Sequence, residues 1–211
     1  MMRLQIVIMT IFLWMLTDPS DIREGFWDAT QFNWHDETEQ EEFESERTRR
    51  VAILFDCSLS MEFKMRAGET RRERALVELT RLLQKLPKNT DLFCVGFNER
   101  PTLAPKLASP LGARNRDQAF AFARQLVPRG DTLPADCLAV VLRRHPKLDA
   151  VFLVTDARAP NRRVAKSQAL ALAELQRRFG VTVHWVIVDP LSRRELAAML
   201  RLAGGRLHVA K

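Results

Sequence analysis

The sequence predicts an α/β domain: a doubly wound, mostly parallel sheet flanked by helices on both faces. Three observations predict it. Strand-like and helix-like segments alternate from residue 51 to the end of the chain. The strand segments are apolar at consecutive positions, as strands buried on both faces are, and not at every second position. Three of them, "VAILFD", "DAVFLVTD" and "VTVHWVIVD", end on an aspartate.

Taken in order, residues 51–56 form the first strand. "GETRRERALVELTRLLQKL" follows, a helix by the spacing of Ala75, Leu76, Leu79, Leu82, Leu83 and Leu86. "DLFCVGFN" is the second strand. In "PTLAPKL" the prolines Pro101 and Pro105 restrict the segment to an edge strand or a loop. "RDQAFAFARQLV" and "PADCLAVVLRR" read as helices, and "DAVFLVTD" as a strand. "RVAKSQALALAELQRRFG" is a helix stopped by Gly180. "VTVHWVIVD" is a further strand, "SRRELAAMLRLAGG" a last helix and "RLHVA" a short final strand.

The 211 residues, 46% of them hydrophobic, supply one sizeable core and an extension. Charge separates the two. Residues 1–50 carry 5 Lys and Arg against 11 Asp and Glu, a net of −6, whereas residues 51–211 carry 28 against 15, a net of +13. Within the extension, "LQIVIMTIFLWML" (residues 4–16) is apolar, preceded by Arg3 and followed by Asp18 and Asp21. That length suits the core of a signal peptide or a short membrane anchor over residues 1–17 better than a full span of about 20 residues. The charge bias across it places the remainder outside the cytoplasm. The expected location is membrane-anchored or secreted, with the cytoplasm as runner-up. Residues 18–50 read as an acidic linker, densest in "HDETEQEEFESER". Residues 51–211 form the domain.

Several chemistries are disfavoured. The three cysteines, Cys57, Cys94 and Cys137, have no metal-type spacing and read as small core residues. No glycine-rich phosphate loop follows the first strand. His35, His145, His184 and His208 are scattered, with no partnered nucleophile beside them. The basic residues are spread over several helices (Arg71, Arg143, Arg177 and Arg193 among them), as on solvated faces, and no nucleic acid is expected as a partner.

In a doubly wound sheet, ligands bind at the carboxyl ends of the strands. Asp56 and Asp156 end two strands there. Ser58 and Ser60 follow Asp56 at alternate positions, and Thr132 immediately precedes a helix in "RGDTLPADCL". If the first and fourth strands are neighbours, Asp56, Ser58, Ser60, Thr132 and Asp156 meet at one corner. All offer hard oxygen, a set that suits Mg2+ or Mn2+ with water completing the octahedron and suits Zn2+ poorly. Taken singly, each has a simpler explanation: Ser60 or Thr132 as a helix cap, either aspartate as a turn residue.

These residues resemble the von Willebrand factor type A domain, a Rossmann-like fold. Its metal-ion-dependent adhesion site is written D-x-S-x-S, then a Thr in a Gly-rich turn, then a strand-ending Asp. The matching positions are Asp56-Cys57-Ser58-Leu59-Ser60, Thr132 and Asp156, and the resemblance spans residues 51–211. Two positions depart from it: Asp131 stands where Gly usually precedes the Thr, and Ala157 replaces the usual Gly after the second Asp. The resemblance implies a protein-binding module, not an enzyme. The three hydroxyls would ligate Mg2+ or Mn2+ directly or through water, the two carboxylates would balance its charge, and a partner's carboxylate would fill the open position. A Mg-dependent hydrolase or a nucleic-acid-binding α/β domain is the alternative. Lys64, Arg66, Arg129, Arg158, Arg162 and Arg163 sit in the loops expected at that edge and favour an acidic protein ligand. The chain's own acidic segment 36–46 is a candidate intramolecular occupant, or else a spacer from a membrane tether.

Overall fold

The computed structural model of the protein describes residues 49–105, 111–189 and 201–209. The expected signal or anchor (1–17), the acidic linker up to residue 48 with its run 36–46, and most of the expected last helix lie outside the described residues. The linker's last two residues, Arg49 and Arg50, already belong to the first strand.

Six strands form one sheet in the order β3-β2-β1-β4-β5-β6. They are β1 (Arg49–Asp56), β2 (Thr90–Phe97), β3 (Thr102–Leu103), β4 (Ala150–Thr155), β5 (Thr182–Ile187) and β6 (Arg206–Val209). Every pairing is parallel except β2 with the two-residue edge strand β3, where the prolines had restricted the chain. The first and fourth strands are neighbours, with Phe55 opposite Val154.

Helices α1 (Arg71–Lys85), α2 (Ala113–Gln125), α3 (Pro134–Arg144) and α4 (Arg162–Phe179) cover the two faces. Because side chains alternate along a strand, β1 feeds two cores at once. Val51, Ile53 and Phe55 join Leu79, Leu82 and Leu83 of α1 and Ala119 and Ala123 of α2. Ala52 and Leu54 join Leu138 and Val141 of α3 and Ala169 and Leu172 of α4. Burial on both faces explains the unbroken apolar runs. Cys57, Cys94 and Cys137 are free and buried in these cores.

Local signals set the helix ends. Thr70 and Glu73 form a reciprocal capping box at the start of α1, and Pro134 opens α3. The Asn161 side chain accepts the Val164 N–H at 3.0 Å to cap α4, and Gly180 closes it at φ 62°. Helix α2 starts at Ala113, before the expected Arg116, since Leu111 and Gly112 bring the chain onto the core ahead of the first apolar repeat.

Candidate functional site

From β1 the chain winds outward to β2 on one side and to β4 on the other. That reversal leaves a crevice at the carboxyl ends of β1 and β4. Asp56 is the last residue of β1, and Asp156 follows directly on β4. Both are fully buried at this corner.

The oxygens of Asp56 are both engaged. Oδ1 accepts the Ser58 N–H at 2.8 Å, and Oδ2 accepts the Thr155 hydroxyl at 2.5 Å. Asp156 is served unevenly: Oδ1 accepts the Arg158 N–H at 3.0 Å, while Oδ2 is buried with no hydrogen-bond donor. Each aspartate thus binds the N–H two residues on, so the turn role holds for one oxygen of each. The turn leaves Asp156 Oδ2 over.

The hydroxyls are not used as caps. Ser58 precedes a short 3-10 helix, Leu59–Glu62, but its side chain makes no capping bond. Ser60 lies inside that helix, its Oγ 3.1 Å from Ser58 Oγ. The residue capping α3 is Leu133, so Thr132 is not the cap either. Thr132 is brought in by its loop, which zips onto the turn after β1. Arg129 N–H donates to the Cys57 carbonyl at 2.8 Å and Leu59 N–H to the Gly130 carbonyl at 3.1 Å. Gly130, at φ 67°, supplies the left-handed residue this loop needs. Buried Thr132 then lines one small pocket with Thr155 and Ala157.

Burial pushes the Asp56 carboxyl up to about 7, and the nearby Asp156 adds to the rise. Burial also raises Asp156, against the pull of the Arg158 N–H, the Ser60 hydroxyl, Arg71 and Arg158. Two buried carboxylates, adjacent hydroxyls and one oxygen without a donor form an all-oxygen set that a hard divalent cation fits. Among the described residues no three His, Cys, Asp or Glu side chains cluster as a metal site, so such a cation would depend on the hydroxyls.

Sequence reasoning missed three contributors. Thr155 becomes visible only once β1 and β4 are in register. Asp189 was read as a strand-ending acid without a place in the corner. Arg71 was read as a solvated cation, and that is corrected: its side chain is 6% exposed. It donates through Nε to Asp189 Oδ2 at 2.8 Å and through Nη1 to the Ser60 carbonyl at 2.8 Å. Its Nη1 also lies 3.2 Å from Asp156 Oδ2. Of the six basic residues expected at the rim, Lys64, Arg66, Arg129, Arg162 and Arg163 are exposed. Arg158 is half-buried and turns inward, with Nη2 3.2 Å from Asp189 Oδ2. Away from this corner, the histidines are less scattered than the sequence suggested. His184 and His208 stack across β5 and β6, with Nδ1 and Nε2 3.3 Å apart.

A family model described as von Willebrand factor type A domain matches residues 49–209. Among solved structures, an aerotolerance-related membrane protein from Bacteroides fragilis aligns at 15% identity, with a TM-score of 0.59, over 77% of this chain and 92% of that one. A von Willebrand factor type A protein from Catenulispora acidiphila aligns at 16% identity and a TM-score of 0.52, over 77% of this chain and 38% of that one. Proximal thread matrix protein 1 from the mussel byssus, with a zinc-occupied MIDAS motif, aligns at 16% identity and a TM-score of 0.50, over 77% and 41%. Comparison of the sequence with curated proteins finds no match.

Proposed function

Since the chain belongs to the von Willebrand factor type A domain family, we propose that it is a metal-dependent protein-binding module, not an enzyme. Ser58, Ser60 and Thr132 would hold Mg2+ or Mn2+, with Asp56 and Asp156 balancing its charge. The bound cation would supply a Lewis-acidic position for a partner's carboxylate. The observation that supports this most is the buried pair Asp56 and Asp156, in a corner where Ser58 makes no capping bond. Asp156 Oδ2 makes no close hydrogen bond and is met by the Arg71 ion pair at 3.2 Å.

The chain's own residues do the positioning. Thr155 and the Ser58 N–H fix both oxygens of Asp56, so that carboxylate keeps its orientation with or without a ligand. The Arg158 N–H fixes Asp156 by one oxygen and leaves the other beside the Arg71 guanidinium. Exposed Lys64, Arg66, Arg129, Arg162 and Arg163 would draw an acidic protein toward the edge, an attraction that salt weakens. The mussel byssus protein's zinc-occupied motif supports a divalent cation here. The all-oxygen donor set favours Mg2+ or Mn2+ over zinc. We place the domain outside the cytoplasm, tethered or released according to the fate of residues 1–17.

A ligand that binds only the folded state at about 100 times its dissociation constant stabilises it by about 2.7 kcal/mol. The melting temperature of the chain is expected to rise with Mg2+ or Mn2+ and to return on chelation. Asp56→Ala is expected to fold and to lose that response. An equal response in wild type and variant would move the metal elsewhere. A carboxylate-bearing peptide is expected to bind only in the presence of the metal.

A further inference from the structure

The corner already contains cations of its own. Arg71 is the first residue of α1, yet it does not extend into solvent as helix starts usually do. The loop before it folds back, with Lys64 bridged to Thr70 and the Arg71 N–H donating to the Phe63 carbonyl at 3.1 Å. This directs the side chain under the turn that carries Ser58 and Ser60. There the guanidinium spans Asp189 at 2.8 Å, the Ser60 carbonyl at 2.8 Å and Asp156 Oδ2 at 3.2 Å. Its outer face lies over the Phe63 ring, 5.6 Å from the centroid. Arg158 approaches from the other side, with Nε 4.0 Å from Asp156 Oδ2.

Arg71 therefore stands against Asp156 Oδ2, a buried carboxylate oxygen that an entering cation would compete for. With all groups ionised, Asp56, Asp156 and Asp189 face Arg71 and Arg158 for a formal charge of −1. A divalent cation would bring the corner to +1, and a partner's carboxylate would bring it to zero. We propose that Arg71 is a tethered counter-ion that competes with the divalent cation for Asp156 and so sets how tightly the domain holds metal. The inference rests on the metal reading above. Its consequence is a site that holds its fold without metal, binds metal weakly alone, and binds it well when an acidic partner arrives. By linkage, the partner's affinity rises with metal by the same factor.

The test is calorimetric titration of Mn2+ into the full-length chain, wild type and Arg71→Gln. Removing a unit charge this close to the ligand oxygen is expected to tighten Mn2+ binding by about tenfold or more. Arg71→Lys, which keeps the charge, is expected to stay near wild type. If Arg71→Gln binds Mn2+ no tighter than wild type, the counter-ion role is overturned while the metal reading stands. If neither chain binds Mn2+, the metal reading falls, and this inference with it. Should Arg71→Gln fail to fold, Mg2+ titration of wild type labelled with 15N-arginine reads the same competition. The Arg71 guanidinium signals are then expected to shift with metal occupancy; signals that stay fixed through saturation would overturn the proposal.

Discussion

Thr155 Oγ1 donates a hydrogen bond to Asp56 Oδ2 across the β1–β4 pair, and the same hydroxyl accepts the Ala157 N–H at 2.9 Å. One side chain thereby couples the ends of the two strands that carry the aspartates. A buried hydrogen bond to a charged group contributes about 1.5–3 kcal/mol. Thr155→Val keeps the β-branched shape and removes both bonds. It is expected to cost about that much in urea unfolding above pH 7, where Asp56 is ionised, and less near pH 4, where it is neutral. A loss independent of pH would mean that the hydroxyl serves only Ala157.

Two parts of the molecule pull its pH dependence in opposite directions. Asp56 is pushed up to about 7 from its ordinary 3.8, so the folded chain binds more protons than the unfolded one between those values. Its contribution is present below pH 3.8 and is lost as pH rises through 7. His184 is held down to about 4 by burial, then by Arg206; His208 is held there by burial, then by His184, Arg206 and Lys85. For these two the unfolded chain binds more protons between about 4 and 6.5, so stability falls as pH drops through that window. Without divalent cation, urea midpoints are expected to rise from pH 4 to about 6.5, where two histidines outweigh one aspartate, and to fall slightly from there to about 7. Asp56→Asn should flatten the alkaline limb, and His184→Phe, which keeps an aromatic ring against Phe152, the acid one. Variants that leave both limbs unchanged would assign them to other groups.

Ala157 sits at φ 58°, the one non-glycine residue in left-handed backbone among those described. The family resemblance places Gly here, and the dihedral explains why. An L side chain in this region costs about 1–2 kcal/mol, against about 0.5–1 kcal/mol of backbone entropy for Gly. Ala157→Gly is expected to raise stability by about 0.5–1 kcal/mol in chemical denaturation. A destabilised variant would show that the methyl group, which lines the pocket with Thr132 and Thr155, matters more than the strain.

What the sequence made legible follows from where its information is local. Continuous apolar runs marked β1, β4 and β5, and the alternation of Ser58 and Ser60 after Asp56 pointed to one corner, because each signal spans only a few residues. Arg71 was misread since "TRRER" looks like any solvated helix start. Its inward turn depends on the 63–70 loop folding back, which no short window encodes. The partnership of His184 with His208 needed the β5–β6 register, and that of Thr155 with Asp56 needed the β1–β4 register. Such pairings across the sheet appear only once the strands are placed.

The acidic run 36–46 offers the last prediction, because the fold limits which part of it can reach the corner. Strand β1 starts at Arg49, at the end of the strand opposite Asp56. Seven steps of about 3.3 Å separate Arg49 from Asp56 by roughly 23 Å. A chain extends at most about 3.3–3.6 Å per residue, so roughly seven residues before Arg49 are needed to return. By backbone length Glu44 and Glu46 fall short of the Asp56 corner of their own domain, whereas Asp36, Glu37 and Glu39 have length enough. If the run occupies the corner in cis, deleting residues 36–40 should tighten binding of an external acidic peptide in the presence of Mg2+. Replacing Glu44 and Glu46 with Gln should leave that affinity unchanged, and added salt should narrow the difference between the chains. Equal peptide affinity in the deletion and the wild type would leave the run as a spacer. A response to the Gln replacements alone would mean that the acidic residues act on a second molecule.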